Sequence, residues 1–159
     1  MQNFKYLFKG LLLLISFALL TGCAGKIFED KPATLAVNIT TSADLNPDSE
    51  GRASPIVLYF FNLKTDNAFI NAAFFDLYED SQTALGGDFI GQQEVEIEPG
   101  SNLFYRDNIL TLETQFVGVL AAYRDLDNAV WQGIISTPIN SKKVINIQLN
   151  KLDMNIIGN

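Results

Sequence analysis

The stretch Pro55-Ile56-Val57-Leu58-Tyr59-Phe60-Phe61-Asn62-Leu63 is apolar at nearly every position. Such a run predicts a strand covered on both faces, and Pro55 can open it without costing a ladder hydrogen bond. Residues 115–124 predict a second core strand of the same kind. Phe116, Gly118, Leu120 and Ala122 fall on one face, with Val117, Val119, Ala121 and Tyr123 on the other.

Outward from these two, the apolar period is again that of strands. Leu35, Val37 and Ile39 alternate with polar or small neighbours from Thr34 onward, and Ile145, Ile147 and Leu149 do the same over residues 143–150. Val95 and Ile97 alternate with Glu94, Glu96 and Glu98, which reads as an edge strand with a solvated outer face. Pro99-Gly100 turns the chain into residues 102–106, which leave again towards Leu110–Leu112. Residues 129–136 carry Trp131, Ile134 and Ile135, and residues 154–157 suggest a last short strand. The period changes once, over residues 65–80. There Phe69, Ala73 and Leu77 recur at four, with Ile70 and Phe74 beside them, a helical stripe that Asp66 or Asn67 could cap. Residues 81–91 read as irregular, anchored by Leu85, Phe89 and Ile90 and bent by Gly86-Gly87. The fold class is therefore mainly β, a β-sandwich of seven or eight strands with a short helical insert.

The N-terminal part is of another kind. Lys5 and Lys9 precede a run of about a dozen apolar residues ending at Leu20-Thr21-Gly22-Cys23, the proportions of a signal peptide rather than a membrane span. The site resembles the bacterial lipobox, a branched apolar residue and two small ones before a cysteine. That resemblance implies residues 1–22 as a lipoprotein signal peptide, cleavage before Cys23, and a diacylglycerol on its thiol with a further acyl chain on the new amino group. Residues 23–33 then form the acylated N-terminus and a tether of about 35 Å at most, and residues 34–159 the β-sandwich domain. Ala24, following the cysteine, is no inner-membrane retention signal, which directs the expectation to the outer membrane, with the domain facing the periplasm.

Composition narrows the function further. Eleven basic residues stand against 18 acidic ones; without Lys5 and Lys9 the balance is 9 to 18, a net charge of −9. No nucleic-acid partner is expected of such a surface. There is no histidine and one cysteine, so a His-based triad, a Cys–His pair and the usual zinc sites are outside the inventory. No cofactor is expected. Asp76, Glu79, Asp80 and Asp88 lie close in sequence but lack the alternating spacing of a calcium loop, and read as a solvated helix face. Tyr123-Arg124-Asp125 reads as a structural turn, with Arg124 paired to Asp125, Asp127 or Asp107, and Trp131 as a core residue with its indole N–H bonded.

The polar connection over residues 42–54 is the candidate contact surface. It presents Asp44, Asp48, Glu50 and Arg52 on a joint longer than the fold needs, shaped by Asn46-Pro47 and Gly51. Arg52 could equally staple the turn by pairing with an acid of the domain.

Together, the lipobox, Asn46-Pro47-Asp48-Ser49-Glu50-Gly51-Arg52-Ala53-Ser54-Pro55 and the next apolar strand resemble the TssJ family, outer-membrane lipoproteins of bacterial type VI secretion systems. Phe69, Ala73-Phe74-Phe75, Leu77, Leu85, Asp88, Pro99-Gly100 and the block from Val117 to Asp127 with Trp131 carry the resemblance over essentially the whole mature chain. Tyr59 departs from it, standing where the family pattern has a basic residue. The resemblance implies a transthyretin-like β-sandwich and no enzymatic activity. It also implies a structural adaptor that holds the trans-envelope complex to the outer membrane through lipid on Cys23. Its partner is then the periplasmic C-terminal region of the inner-membrane protein TssM, with Asp44, Asn46, Pro47, Asp48, Glu50, Gly51 and Arg52 as the contact loop. The other function weighed is a lipoprotein module for a small ligand or glycan, which a strip of outward aromatics would favour.

Overall fold

In the computed structural model the described residues are 29–158, residues 105–109 by backbone alone. Among them, eight strands run in chain order: β1 (Thr34–Thr41), β2 (Ile56–Leu63), β3 (Phe89–Ile97), β4 (Asn102–Ile109), β5 (Phe116–Ala121), β6 (Gln132–Ser136), β7 (Lys142–Leu149) and β8 (Met154–Gly158). Helices α1 (Asn67–Asn71) and α2 (Phe74–Leu85), with a 3-10 turn at Gly86–Asp88, are inserted between β2 and β3.

The strands form two four-stranded sheets, ordered β4-β1-β7-β8 and β3-β2-β5-β6. Each neighbouring pair is antiparallel except β1 and β7, which run parallel with Thr34 opposite Lys142 and Thr41 opposite Leu149. The period-2 apolar residues of the first sheet, Leu35, Val37, Ile39, Ile145, Ile147 and Leu149, all point into the core. Ile56, Leu58, Val117, Val119 and Ala121 of the second sheet meet them there. β3 is an edge strand as its glutamates imply, pairing with β2 alone.

β2 and β5 are apolar on both faces because a second, separate core lies outside their sheet. Phe61, Leu63 and Leu120 point away from the sandwich and are covered by Phe69 of α1 and by Leu77 and Leu85 of α2. Gly118 marks the closest approach. A Cβ on it would stand 2.8 Å from the ring of Phe69, which is itself fully buried and packs 5.7 Å from Phe61 between ring centroids.

The helical stripe over residues 65–80 is real but broken. Ala72 and Ala73 both have extended backbone, ψ 146° and 155°, so the predicted single helix is two, and Ala73 is not part of the stripe. Asp66 takes the cap position without a side-chain cap bond. The span read as irregular is helical as far as Leu85, with a kink at Asp80, and Phe89 already begins β3. Ser81 is buried there and donates to the Gln92 side chain at 2.6 Å, fixing α2 to β3.

Parallel pairing of β1 and β7 gives the sandwich two distinct ends. The incoming chain is bound at one: Asn140 and Lys31 exchange hydrogen bonds of 2.8 Å, and Thr34 N–H donates to Ser141 O at 3.0 Å. Ala33 is already buried, so the last residues of the tether belong to the fold. The β1–β2, β3–β4, β5–β6 and β7–β8 connections gather at the other end, about 25 Å away along eight residues of strand.

Candidate functional site

Residues 42–55 leave β1 at that far end, and a small set of bonds fixes their shape. Ser42 N–H donates to Leu149 O at 2.9 Å and Gly100 N–H to Ser42 O at 3.0 Å, so the loop starts joined to both neighbouring turns. Leu45 then enters the core, fully buried, and Ser54 N–H closes back on Leu45 O at 3.0 Å. Asn46 is the pin between them. It is 2% exposed with φ +46°, a conformation that asparagine tolerates better than most residues. Its Nδ2 donates to Pro55 O at 2.7 Å, and its Oδ1 accepts from Arg124 N–H at 2.8 Å, across 78 residues of sequence. Its own N–H donates to Lys151 O at 3.0 Å. Asn46 thus joins the β1–β2, β5–β6 and β7–β8 connections from inside.

Asp48 closes the exposed tip. Its Oδ1 accepts from Glu50 N–H and Arg52 N–H, both at 2.9 Å, and its Oδ2 accepts from Arg52 Nε at 2.8 Å. Gly51, φ +79°, makes the return possible. Arg52 makes the staple: its guanidinium contacts Asp48 and, at 3.1 Å, Glu50. At 70% exposure of Arg52, solvent screening leaves these pairs with little weight in stability. Asp44 and Glu50 remain exposed to solvent.

The Arg52 backbone N–H, and after it the Arg52 guanidinium, hold the Asp48 carboxyl below its ordinary value of 3.8, with the charge of Arg124 contributing least. A depressed folded value means that the loop-closing bonds are fully present above pH 3.8 and are lost as pH falls through the folded value. The amide resonance of Arg52 should therefore follow the Asp48 carboxyl with a midpoint below 3.8. Movement centred at or above 3.8 would contradict the carboxylate's role.

Arg124, read from the sequence only as part of a turn, and Lys151, not singled out at all, also line this site. With Asp125 and Leu152 they form one wall of an open groove of about 660 Å3, and Pro47, Asp48, Ser49 and Gly51 form the other. The groove carries both signs of charge. Among the described residues Arg124 makes no ion pair with Asp125 or Asp127, and Asp125 instead accepts twice from Asn128 at 2.9 Å; the side chain of Asp107, the third expected partner, lies outside the described residues. Tyr123 supports the floor, its hydroxyl donating to Asn150 O and Asp153 O at 3.1 and 2.9 Å. Burial, with a smaller push from Asp153, keeps that hydroxyl protonated well above its usual range.

Trp131 is half-buried rather than enclosed, edge-on to Phe74 at 5.3 Å, and among the described residues no hydrogen bond reaches its indole. Tyr59 packs between Phe61 and Tyr78, an aromatic contact where the family pattern has a charge. Asp76, Glu79, Asp80 and Asp88 are not brought together. Among the described residues no group of three or more such side chains could hold a metal ion, and Asp88 accepts from Thr65 at 2.9 Å instead. Aromatic side chains also reach the surface: Phe75 and Tyr78 are 59% and 47% exposed. Cys23 and the signal segment lie outside the described residues.

Comparison with known proteins gives a consistent answer. Residues 33–152 match the family model of the type VI secretion lipoprotein, VasD, EvfM, TssJ. The crystal structure of the lipoprotein TssJ1 from Pseudomonas aeruginosa superposes with a TM-score of 0.77 at 32% identity, covering 80% of this chain and 97% of that one. Lip from Serratia marcescens, described as a membrane-bound component of the type VI secretion system, matches with a TM-score of 0.69 at 18% identity, over 78% and 96% of the two chains. A chain of the structure described as the TssM C-terminal domain (869–1107) from EAEC matches at 0.64 and 22% identity, over 78% of this chain and 100% of that one. The last two establish the fold alone. No curated protein matches by sequence.

Proposed function

Because the chain belongs to the type VI secretion lipoprotein family that includes TssJ, we propose that it is a non-enzymatic adaptor anchored by lipid to the outer membrane. In this reading acyl chains on Cys23 hold the domain on the periplasmic side, and the loop at its far end grips the periplasmic C-terminal region of TssM. The observation that carries the reading is the opposition of the two ends. The tether enters beside Asn140, and the loop with its groove stands about 25 Å away, so a membrane surface at one end leaves the other open. A domain filled by its own side chains serves as a rigid spacer between anchor and partner.

The loop divides into residues that shape and residues that touch. Asn46 and Asp48 shape, through the bonds they make within the domain. Pro47, Gly51 and the side chains of Asp44, Glu50 and Arg52 form the contact surface. Glu50→Lys with Asp44→Lys therefore reverses the rim charge and gives up the exposed Arg52–Glu50 contact, while keeping the Asp48 bonds that close the loop. Calorimetry of the full chain in detergent against the TssM periplasmic region is expected to show affinity falling about tenfold, with the loss shrinking as salt rises. Replacing residues 47–53 by a Gly/Ser linker, with Leu45, Asn46 and Ser54 kept, should weaken binding further. Unchanged affinity for the linker variant would move the interface off this end of the sandwich.

A further inference from the structure

The helical insert carries a surface that the loop reading leaves unused. Phe74 stacks on Tyr78 at 5.5 Å, meets Phe75 edge-on at 5.3 Å and Trp131 edge-on at 5.3 Å, and Tyr78 meets Tyr59 at 5.7 Å. These five rings form one connected cluster reaching from β2 across α2 to the segment before β6. Its outermost members are not satisfied by the fold, since Phe75 and Tyr78 keep about half their surface in water. Exposed aromatic area of this kind, contiguous rather than scattered, favours burial against a second surface.

The charge along this part of the chain is of one sign. Residues 65–105 contain eight carboxylates and no lysine or arginine. Asp76 and Glu79 stand next to Phe75 and Tyr78 on α2, both exposed, and Glu94 lies opposite Tyr59 in the β2–β3 register. Ring faces are themselves electron-rich and attract cations, most of all guanidinium groups. An anionic lipid or another acidic surface is repelled here.

We propose that this aromatic face of the helical insert is a second docking surface, for a basic polypeptide segment that sets apolar side chains on Phe75 and Tyr78 and arginine or lysine against Asp76, Glu79 and Glu94. It is built on α2 and β2 and shares with the loop site only the β5–β6 connection, which carries Trp131 here and Arg124 there. The occupant is fixed by charge complementarity: carboxylates without a basic neighbour in sequence, and π-faces open to solvent, are both met by the same cationic, partly apolar chain.

Trp131 is the chain's one tryptophan and sits in the cluster, so its emission reports occupancy. The full chain in detergent is titrated with a tryptophan-free 12-residue peptide of alternating Leu and Arg, and with its Leu–Glu counterpart. The Leu–Arg peptide should shift Trp131 emission saturably, and the Leu–Glu peptide should not. Phe75→Ser should weaken the Leu–Arg peptide at least tenfold. Asp76→Asn with Glu79→Gln, which leaves every ring in place, should weaken it several-fold and reduce its salt dependence. The Gly/Ser replacement of residues 47–53 should leave it within twofold, so failure of the loop reading and failure of this one give different results. The proposal is overturned if no emission change occurs, if both peptides bind alike, or if Phe75→Ser binds as the wild type does. It is equally overturned if the linker variant loses the response, or if the emission change follows protein concentration without peptide, which would mark the face as a contact between copies.

Discussion

Phe69→Ala is expected to lower the free energy of unfolding by about 3–5 kcal/mol, the range for removing a fully buried phenylalanine. Phe69 carries more than its own burial. It is the side chain by which the helical insert sits on the sheet, held over Gly118 and against Phe61, with its carbonyl accepting from Gln132 Nε2 at 2.7 Å. Gly118→Ala attacks the same contact from below, because the new methyl would stand 2.8 Å from the ring; such overpacking costs about 1–3 kcal/mol. The pair should not add. Once the ring is gone the methyl enters the space it vacated, so the double variant should be less destabilised than the sum of the two. Urea unfolding of the four proteins measures the cycle. Strictly additive losses would mean that α1 is not seated on β5, and the second core would have to be redrawn.

The same residues show which parts of the fold can be read from a sequence. β2 and β5 were legible as strands covered on both faces, since neither has a polar side to expose. What covered them was only half legible. Phe69 and Leu77 have helical spacing, but the break at Ala72-Ala73 follows from tertiary demands that local sequence does not carry. An alanine pair contains no breaker, and the extended backbone there lets Phe69 face Gly118 while Phe74 faces Trp131. Gly86-Gly87 made the preceding residues look irregular, although helix continues to Leu85.

At the candidate site the division runs between near and distant contacts. The turn chemistry of residues 46–52 was readable because its partners lie within four residues: Asp48 with Glu50, Gly51 and Arg52. The bond from Arg124 N–H to Asn46 spans 78 residues, and Lys151 lies further still. No periodicity encodes such an encounter. An asparagine before a proline, in a loop otherwise built for solvent, was the available signal. It was read as a turn former, when its amide is buried and bonded at both ends.

Cys23→Ser is expected to abolish acylation and to release the protein from the membrane fraction entirely, while leaving its unfolding midpoint unchanged. The two halves of this expectation rest on different physics. Stability should be indifferent because the described domain makes its first long-range bonds at Asp30 and Lys31, with Asn140, seven and eight positions after the cysteine. Anchoring should be lost because each acyl chain contributes about 0.8 kcal/mol per buried methylene, and among the described residues no helix is long and apolar enough to cross a membrane in its place. One chain alone binds reversibly, so the lasting attachment expected of a diacylglycerol with an added acyl group depends on this single sulfur. A net charge of −9 without the signal segment offers anionic membrane surfaces no substitute. The partner should then be bound in solution with unaltered affinity, the loop lying at the opposite end, yet assembly in the envelope should fail, since confinement beside the membrane supplies the effective concentration. Metabolic labelling with a fatty-acid analogue, fractionation, and calorimetry of the two proteins separate these steps. Label on the serine variant would remove the lipobox argument, and a weakened affinity in solution would place part of the contact surface at the tether end of the sandwich.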